Sequence, residues 1–415
     1  MRLTPEERTI LDRIAADGGA IVQRAVDWCA INSGSRNLEG LEAQRAALVD
    51  ALGVLPAAPM DVPLAPTVEI GADGRERELA HPASIAVVVR PEAAVQVVLT
   101  GHYDTVYPAD SRFQSVLTRP DGALHGPGIA DMKGGISVML AALQAFEAHP
   151  DAKRLGYRVL LSPDEEIGST ASAPVLAEFG RLGHVGMTYE PAMSDGALAA
   201  ERKGSGNFHV RLTGRAAHAG RDFAAGRNAI AAAARLAARL DALNGEREGV
   251  TLNVARIDGG APLNMVPDNA VLRFNVRFPN EAACRWMEFA IEEALKAERR
   301  DGISVDLHGG VTRAAKPFNG AQTQLFDAVK AAGALIGQDI AWKPSGGVCE
   351  GNNLFAAGLP NVDTLGVRGG DIHSEKEFAW PQSFAERAQL SALILCKLAT
   401  GEIDGPGLRA AMGAG

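Results

Sequence analysis

Apolar residues recur at helical spacing near the start of the chain, at Ile10, Ile14, Ile21, Val22 and Val26. They follow Thr4-Pro5-Glu6-Glu7, where a capping hydroxyl, a proline and two acids mark a helix start. A second helical pattern runs from Leu38 to Leu52, and a proline-rich connector occupies Leu55 to Pro66. β-Branched runs then predict strands at Ser84–Arg90, Val95–Thr100, Arg158–Ser162 and Val185–Tyr189. Helix-like runs lie between them at Ile136–Phe146 and Ala171–Phe179.

From about Leu198 the texture changes. Strands are expected at Asn207–Thr213, Thr251–Ile257, Ala270–Phe278 and Ser304–His308, with helices at Asn228–Leu243 and Ala282–Arg299. That β-α-β-β-α-β order is the ferredoxin-like arrangement. After Arg313 the first texture resumes, with a helix at Gln322–Leu335, a strand at Asn361–Leu365 and a helix at Phe384–Leu398. The pattern therefore predicts an α/β domain built from 1–198 and 313–415, interrupted by a compact α+β domain over 199–312.

Composition adds limits. At 415 residues the chain exceeds the usual size of one core. A hydrophobic share of 47% with 22% charged residues is ordinary for a globular protein. The formal charge of −9 argues against nucleic acid or an acidic membrane as partner and favours a small molecule. Cys29, Cys284, Cys349 and Cys396 form no CxxC pair and no framework spacing, which fits a reducing compartment. The first twenty residues lack an apolar core, and no apolar run approaches the roughly 18 residues of a membrane span. A cytoplasmic location is expected.

Chemistry concentrates at strand ends. His102, Asp104 and Asp131 flank one loop between a predicted strand and a predicted helix, where open α/β sheets bind ligands. If the strand continues to Asp104, the alternation of side chains puts His102 and Asp104 on one side, so one can bind a metal while the other orients it. Two further strands end in carboxylates, at Asp164-Glu165-Glu166 and at Glu190, with Asp164 a candidate cap for the following helix. A second histidine, His373, sits on the glycine-rich loop Gly369-Gly370-Asp371-Ile372-His373.

Ligand counting then suggests two divalent ions sharing a carboxylate and a water. His102, Glu190, Glu166 and His373 supply four private ligands, and Asp131 the bridge. Three carboxylates against +4 leave room for a bridging hydroxide. Glu165 remains over, placed to act as general base. Zinc suits this mixed set, although manganese or cobalt could occupy it. His81, His125, His149, His184, His209 and His308 have no partners at ligand spacing, and the four tryptophans are scattered.

The motifs GHYDTV, GPGIADMKGG, SPDEEIGS, YEPA, GRAAHAG and GGDIHSE, in this order along nearly the whole chain, resemble a family of co-catalytic zinc peptidases. That family includes glutamate carboxypeptidases, aminoacylases, acetylornithine deacetylase and succinyl-diaminopimelate desuccinylase, and the bacterial glutamate carboxypeptidases are the most similar. The resemblance implies that His102 and Glu190 hold one zinc, Glu166 and His373 the other, that Asp131 bridges, that Asp104 orients His102 and that Glu165 is the base. It implies a mixed-sheet peptidase domain with helices on both faces, and a homodimer formed through the ferredoxin-like domain. It also implies that His218 reaches into the partner's site to stabilise the oxyanion, and that Asn264, Arg277 and Arg313 grip a substrate carboxylate. Arginine's planar fork suits that task. The loop Gly346-Gly347-Val348-Cys349-Glu350 departs from the Gly-Gly-Thr-Asp of many relatives.

The expected activity is metal-dependent hydrolysis of an amide or peptide bond next to a free carboxylate, releasing an amino acid. An N-acyl-amino-acid deacylase would share the metal residues and differ in the pocket. A catalytically silent metal-dependent binding protein is the alternative of another class, and retention of Glu165 argues against it.

Overall fold

The computed structural model describes residues 1–300 and 302–413. Its largest layer is a six-stranded mixed sheet with the order Met60–Val62, Ser84–Val89, Leu155–Ser162, Val95–His102, Val185–Thr188 and Asn361–Val362. The first two neighbouring pairs are antiparallel and the other three parallel. Period-2 alternation divides the interior strands between two cores. Val97, Leu99, Val159 and Leu161 pack with Ile136, Leu140, Phe384 and Leu393 from the helices Lys133–Phe146 and Gln382–Thr400. Val98 and Leu160 point the other way, to Leu176, Phe179 and Leu354 of the helices Ala173–Leu182 and Glu350–Ala356. Apolar residues on both sides of each strand are what a parallel sheet covered on both faces requires.

A second sheet, wholly antiparallel, has the order Thr251–Gly259, Asn269–Phe278, Gly204–Thr213 and Ser304–Arg313. One face carries Phe208, Val210, Leu272, Phe274 and Val276 against Ala232, Leu236, Met287 and Ile291 of the helices Ala229–Asp241 and Glu281–Glu298. The intervening residues Asn207, Asn275 and Arg277 are only half-buried and line a cleft on the opposite face. The α/β class and the β-α-β-β-α-β order are those read from the sequence.

Several elements differ from expectation for local reasons. The strand expected to stop at His308 runs on to Arg313. Gly309 and Gly310 interrupt the apolar pattern, and Gly309, at φ 81°, keeps the pairing because a Cβ there would meet the backbone oxygen of Asn207 at 2.2 Å. Leu198–Arg202 pairs in parallel with Trp342–Ser345 rather than with the small sheet. An antiparallel bridge between Arg202 and Lys316 joins the outgoing and returning segments of the chain. The connector from Leu55 to Pro66 contains the edge strand Met60–Val62, and the first helical run is two helices, Pro5–Ala16 and Gly18–Cys29. No helix of the described residues is long and apolar enough to cross a membrane.

Candidate metal centre and active site

Parallel pairing puts three strand ends at one edge of the large sheet. His102 closes its strand opposite Ser162, the turn Glu165–Ile167 follows Ser162, and Glu190 lies two residues beyond Thr188. Asp131 approaches the same edge from the loop before Lys133–Phe146. Two glycines follow Lys133 in the first turn of that helix because a Cβ on Gly134 would fall 2.3 Å from the backbone oxygen of Ile129 and one on Gly135 2.0 Å from that of Tyr189. His373 arrives on the loop between Gly369–Gly370 and Phe378–Ala379, with φ 61° in the left-handed region. A non-glycine residue held there costs on the order of 1 kcal/mol or more, which the surrounding loop must offset.

Asp131 sits between the two histidines. Its Oδ1 is 3.2 Å from His102 Nε2 and its Oδ2 is 3.3 Å from His373 Nε2. Glu190 Oε1 lies 3.7 Å from His102 Nε2, and Glu166 Oε2 lies 3.1 Å from His373 Nε2. These atoms form two trios, His102–Asp131–Glu190 and Asp131–Glu166–His373, each with its donors within 4.8 Å of one another. Ligands about 2.0–2.1 Å from a tetrahedral cation stand roughly 3.3 Å apart, so both trios have the spacing of a metal seat. Glu190 Oε1 is buried without a hydrogen-bond partner among the described residues, a costly state for a carboxylate unless a cation faces it.

The electrostatics agree with that fit. Burial and the charge of Asp131 push Glu166 up to about 8, with His373 opposing, and burial followed by Asp131 and Glu165 pushes Glu190 well above the carboxylate range. Hydrogen bonds to Asp131 and Glu166 lift His373 to about 11 against its partial burial. Burial by itself would lower His102, but Asp104, Asp131 and the nearby glutamates outweigh it and raise it far above its ordinary value. Burial likewise opposes the ionised form of Asp131, and the two histidines overcome it and draw its pKa down. Two glutamates and two histidines that bind protons too tightly, around an Asp131 held ionised by the histidines, describe a pocket short of positive charge.

Asp104 organises this edge. Its backbone oxygen and its Oδ1 lie 3.1 and 3.4 Å from His102 Nδ1, which turns Nε2 toward Asp131. The same carboxylate accepts the N–H of Glu165 at 3.1 Å and of Glu166 at 3.2 Å, and the hydroxyl of Ser35 at 2.7 Å. Glu165 stands outside both trios, its Oε1 2.7 Å from Arg313 Nη2. Asp164 caps the following segment, its Oδ2 accepting from the N–H groups of Ala171 and Ser172.

A cleft of about 810 Å³ opens from Asp131, Glu165, Glu166, Glu190 and His373 toward Arg277 and Arg313. Arg277 donates through Nε to Asn275 Oδ1 at 3.1 Å, and its Nη1 is buried with no hydrogen-bond partner among the described residues. His218 and Asn264 come together elsewhere: both are exposed, the Ala219 N–H donates to the Asn264 backbone oxygen, and His218 Nδ1 accepts from Gly220 and Arg221. Neither lines the cleft.

Residues 98–397 match the Peptidase family M20/M25/M40. The chain belongs to this family. Among curated M20 relatives it is 26% identical to carboxypeptidase G2 of Pseudomonas sp. (strain RS-16) over 322 residues, 76% of each chain. It is 28% identical to the succinyl-diaminopimelate desuccinylase of Verminephrobacter eiseniae over 304 residues, 69% of this chain and 74% of that one. Human carnosine dipeptidase 1 shares the fold with a TM-score of 0.71 at 18% identity, covering 95% of this chain and 100% of the other. An M20 metallo-carboxypeptidase of Sulfolobus solfataricus does so with a TM-score of 0.70 at 13% identity, covering 92% and 99%. This M20 chain is therefore a metallohydrolase, and the two trios are its candidate metal-binding group.

Three contributors to the M20 site had no role assigned from the sequence, and only Glu350 was named there. Glu377, fully buried, accepts the N–H groups of Gly128, Ala130 and Asp131 and the hydroxyl of Tyr107, so one carboxylate ties the Asp131 loop to the His373 loop. Its position four residues after His373 was the available signal. Glu350 in the divergent glycine-rich loop is buried and accepts from the Ser162 hydroxyl at the strand end beside His102; burial raises its pKa to about 8. Asp363 binds Arg202 through both carboxylate oxygens and Lys316 at 2.7 Å, joining the outward and returning crossings.

Proposed function

We propose that the chain is a two-metal amidohydrolase that cleaves an amide or peptide bond next to a free carboxylate and releases an amino acid, in the manner of a glutamate carboxypeptidase. The observation that carries this reading is Asp131, whose two oxygens face two different imidazoles and so complete two seats at once. His102, Asp131 and Glu190 would hold one divalent cation, and Asp131, Glu166 and His373 the other, zinc being the first choice. When bound, the pair supplies Lewis acidity for the scissile carbonyl and acidity for the attacking water. Asp104 holds His102 in the ligating orientation. Glu165, excluded from both seats but on the cleft wall, takes the water's proton and returns it to the leaving amine.

Substrate choice is assigned to Arg277, whose unpaired guanidinium nitrogen in the cleft is a ready partner for a carboxylate. His218, exposed and away from its own cleft, is assigned with Asn264 to the site of a second copy, which makes the 199–312 domain a dimerisation domain. There the imidazole would stabilise the developing oxyanion. A cytoplasmic location is retained, supported by four unpaired cysteines.

Chromatography of products from acyl-glutamates, dipeptides and acetyl-amino acids tests this reading. Release of a C-terminal amino acid from the first two classes is expected. Turnover of acetyl or succinyl substrates alone would replace it by the deacylase reading, which the desuccinylase relatives favour.

A further inference from the structure

Arg277 and Arg313 both reach the cleft from the small sheet, yet their surroundings differ. Arg277 rests on a neutral acceptor, Asn275. Arg313 is committed to one turn of the opposite sheet. Its Nη2 donates to the backbone oxygen of Glu165 at 3.1 Å and to Ser169 Oγ at 2.7 Å, and lies 2.7 Å from Glu165 Oε1. The side chain is only 4% exposed, and that of Glu165 8%. Ion pairs this dry hold geometry far better than exposed ones, because water does not compete for either partner. Asp104 fixes the backbone of the same turn from the far side through the Glu165 N–H. Glu165 is thus gripped at its N–H by one strand end, and at its carbonyl and carboxylate by a residue of the other sheet.

We propose that Arg313 is a positioning residue for Glu165 and acts on the reaction through it, leaving recognition of the substrate carboxylate to Arg277. The inference rests on the assignment of Glu165 as base. It also explains why the Ser304–Arg313 strand extends beyond Gly309-Gly310: those last residues carry the guanidinium to the Glu165 turn. A grip on the substrate would contribute to binding, whereas a brace on the base contributes to turnover.

The test is steady-state kinetics of metal-loaded Arg313→Ala, Arg313→Lys, Arg277→Ala and Glu165→Gln. Each is run on the fastest-cleaved substrate of the panel and on its carboxamide counterpart. Arg313→Ala is expected to lower kcat about 10²-fold on both substrates with KM little changed, the scale of a misplaced catalytic group. Arg313→Lys, which keeps a cation, should recover part of that loss, and it gives the same split if the alanine variant does not fold. Arg277→Ala should raise KM for the carboxylate substrate only. In a Glu165→Gln background, Arg313→Ala should cost no more than roughly two-fold further, because a residue acting through another has nothing left to position. Full additivity, or a KM effect of Arg313→Ala confined to the carboxylate substrate, overturns the proposal. Near-normal turnover by Glu165→Gln instead refutes the base assignment itself, and the single variants tell the two failures apart.

Discussion

The edge of the large sheet and the ribbon that carries His218 present their functional side chains in opposite ways. At the edge of the six-stranded sheet, His102, Asp131 and Glu190 are buried, with Asp131 and Glu190 3.2 and 3.7 Å from the His102 imidazole, although they come from a strand end and two separate loops. On the two-stranded ribbon of Ala217–His218 and Met265–Val266, apart from the small sheet, His218 is exposed and its ring nitrogen only accepts from its own loop, with the apolar Phe223, Leu263 and Met265 exposed nearby in sequence or pairing. A metal seat assembled by burial needs only residues of its own chain. A histidine set among exposed apolar residues makes chemical sense when a second molecule covers it, which is why the proposed function assigns it to a partner copy.

Glu165→Gln strikes the complete site, and kcat should fall roughly 10²–10⁴-fold while both metals stay bound. Kinetics and elemental analysis of the same sample check this, and loss of metal would show that Glu165 and Glu166 have exchanged roles. Asp363→Asn strikes the crossing between the two regions. Leaving Arg202 and Lys316 buried beside a neutral group should cost about 3–5 kcal/mol in urea unfolding. The same carboxylate gives a pH signature. Burial opposes its ionisation, but Arg202 and Lys316 prevail and hold it at about 2. The unfolded chain takes up this proton near pH ~3.9 and the folded chain only near 2, so this stabilisation is present above pH ~4 and is lost as pH falls toward 2. Asp363→Asn should flatten that part of the stability curve.

His218→Ala addresses the incomplete region. A loss of about 10²–10³-fold in kcat is expected, as for removal of one oxyanion donor. Mixing these chains with Glu165→Gln chains should restore activity through hybrid dimers, and re-equilibrated mixtures that stay dead would confine His218 to its own chain. The smallest effect belongs to Leu263→Ser. Its side chain is fully exposed, so stability should change by less than about 0.5 kcal/mol, while sedimentation equilibrium should show weaker self-association.

Much of the large-sheet site was legible because its residues end apolar strands, and a polar residue at such an end is conspicuous. His102, Glu166 and Glu190 all stand out in this way. The supporting contacts were not legible. Glu377 and Glu350 act through backbone N–H groups and a serine hydroxyl far away in sequence, and neither the nearness of Glu377 to His373 nor the divergence of the Glu350 loop says which partner the carboxylate meets. The end of the Ser304–Arg313 strand was hidden for another reason. Two glycines break the alternation that strand reading relies on, while the backbone pairing they interrupt on paper continues in space.

Metal content per chain, measured on the wild type and on Asp131→Ala after gel filtration, bears most directly on the shared carboxylate. Two equivalents in the wild type and almost none in the variant are predicted, since both seats lose a ligand together. A single equivalent in the wild type, or two retained without Asp131, would contradict it.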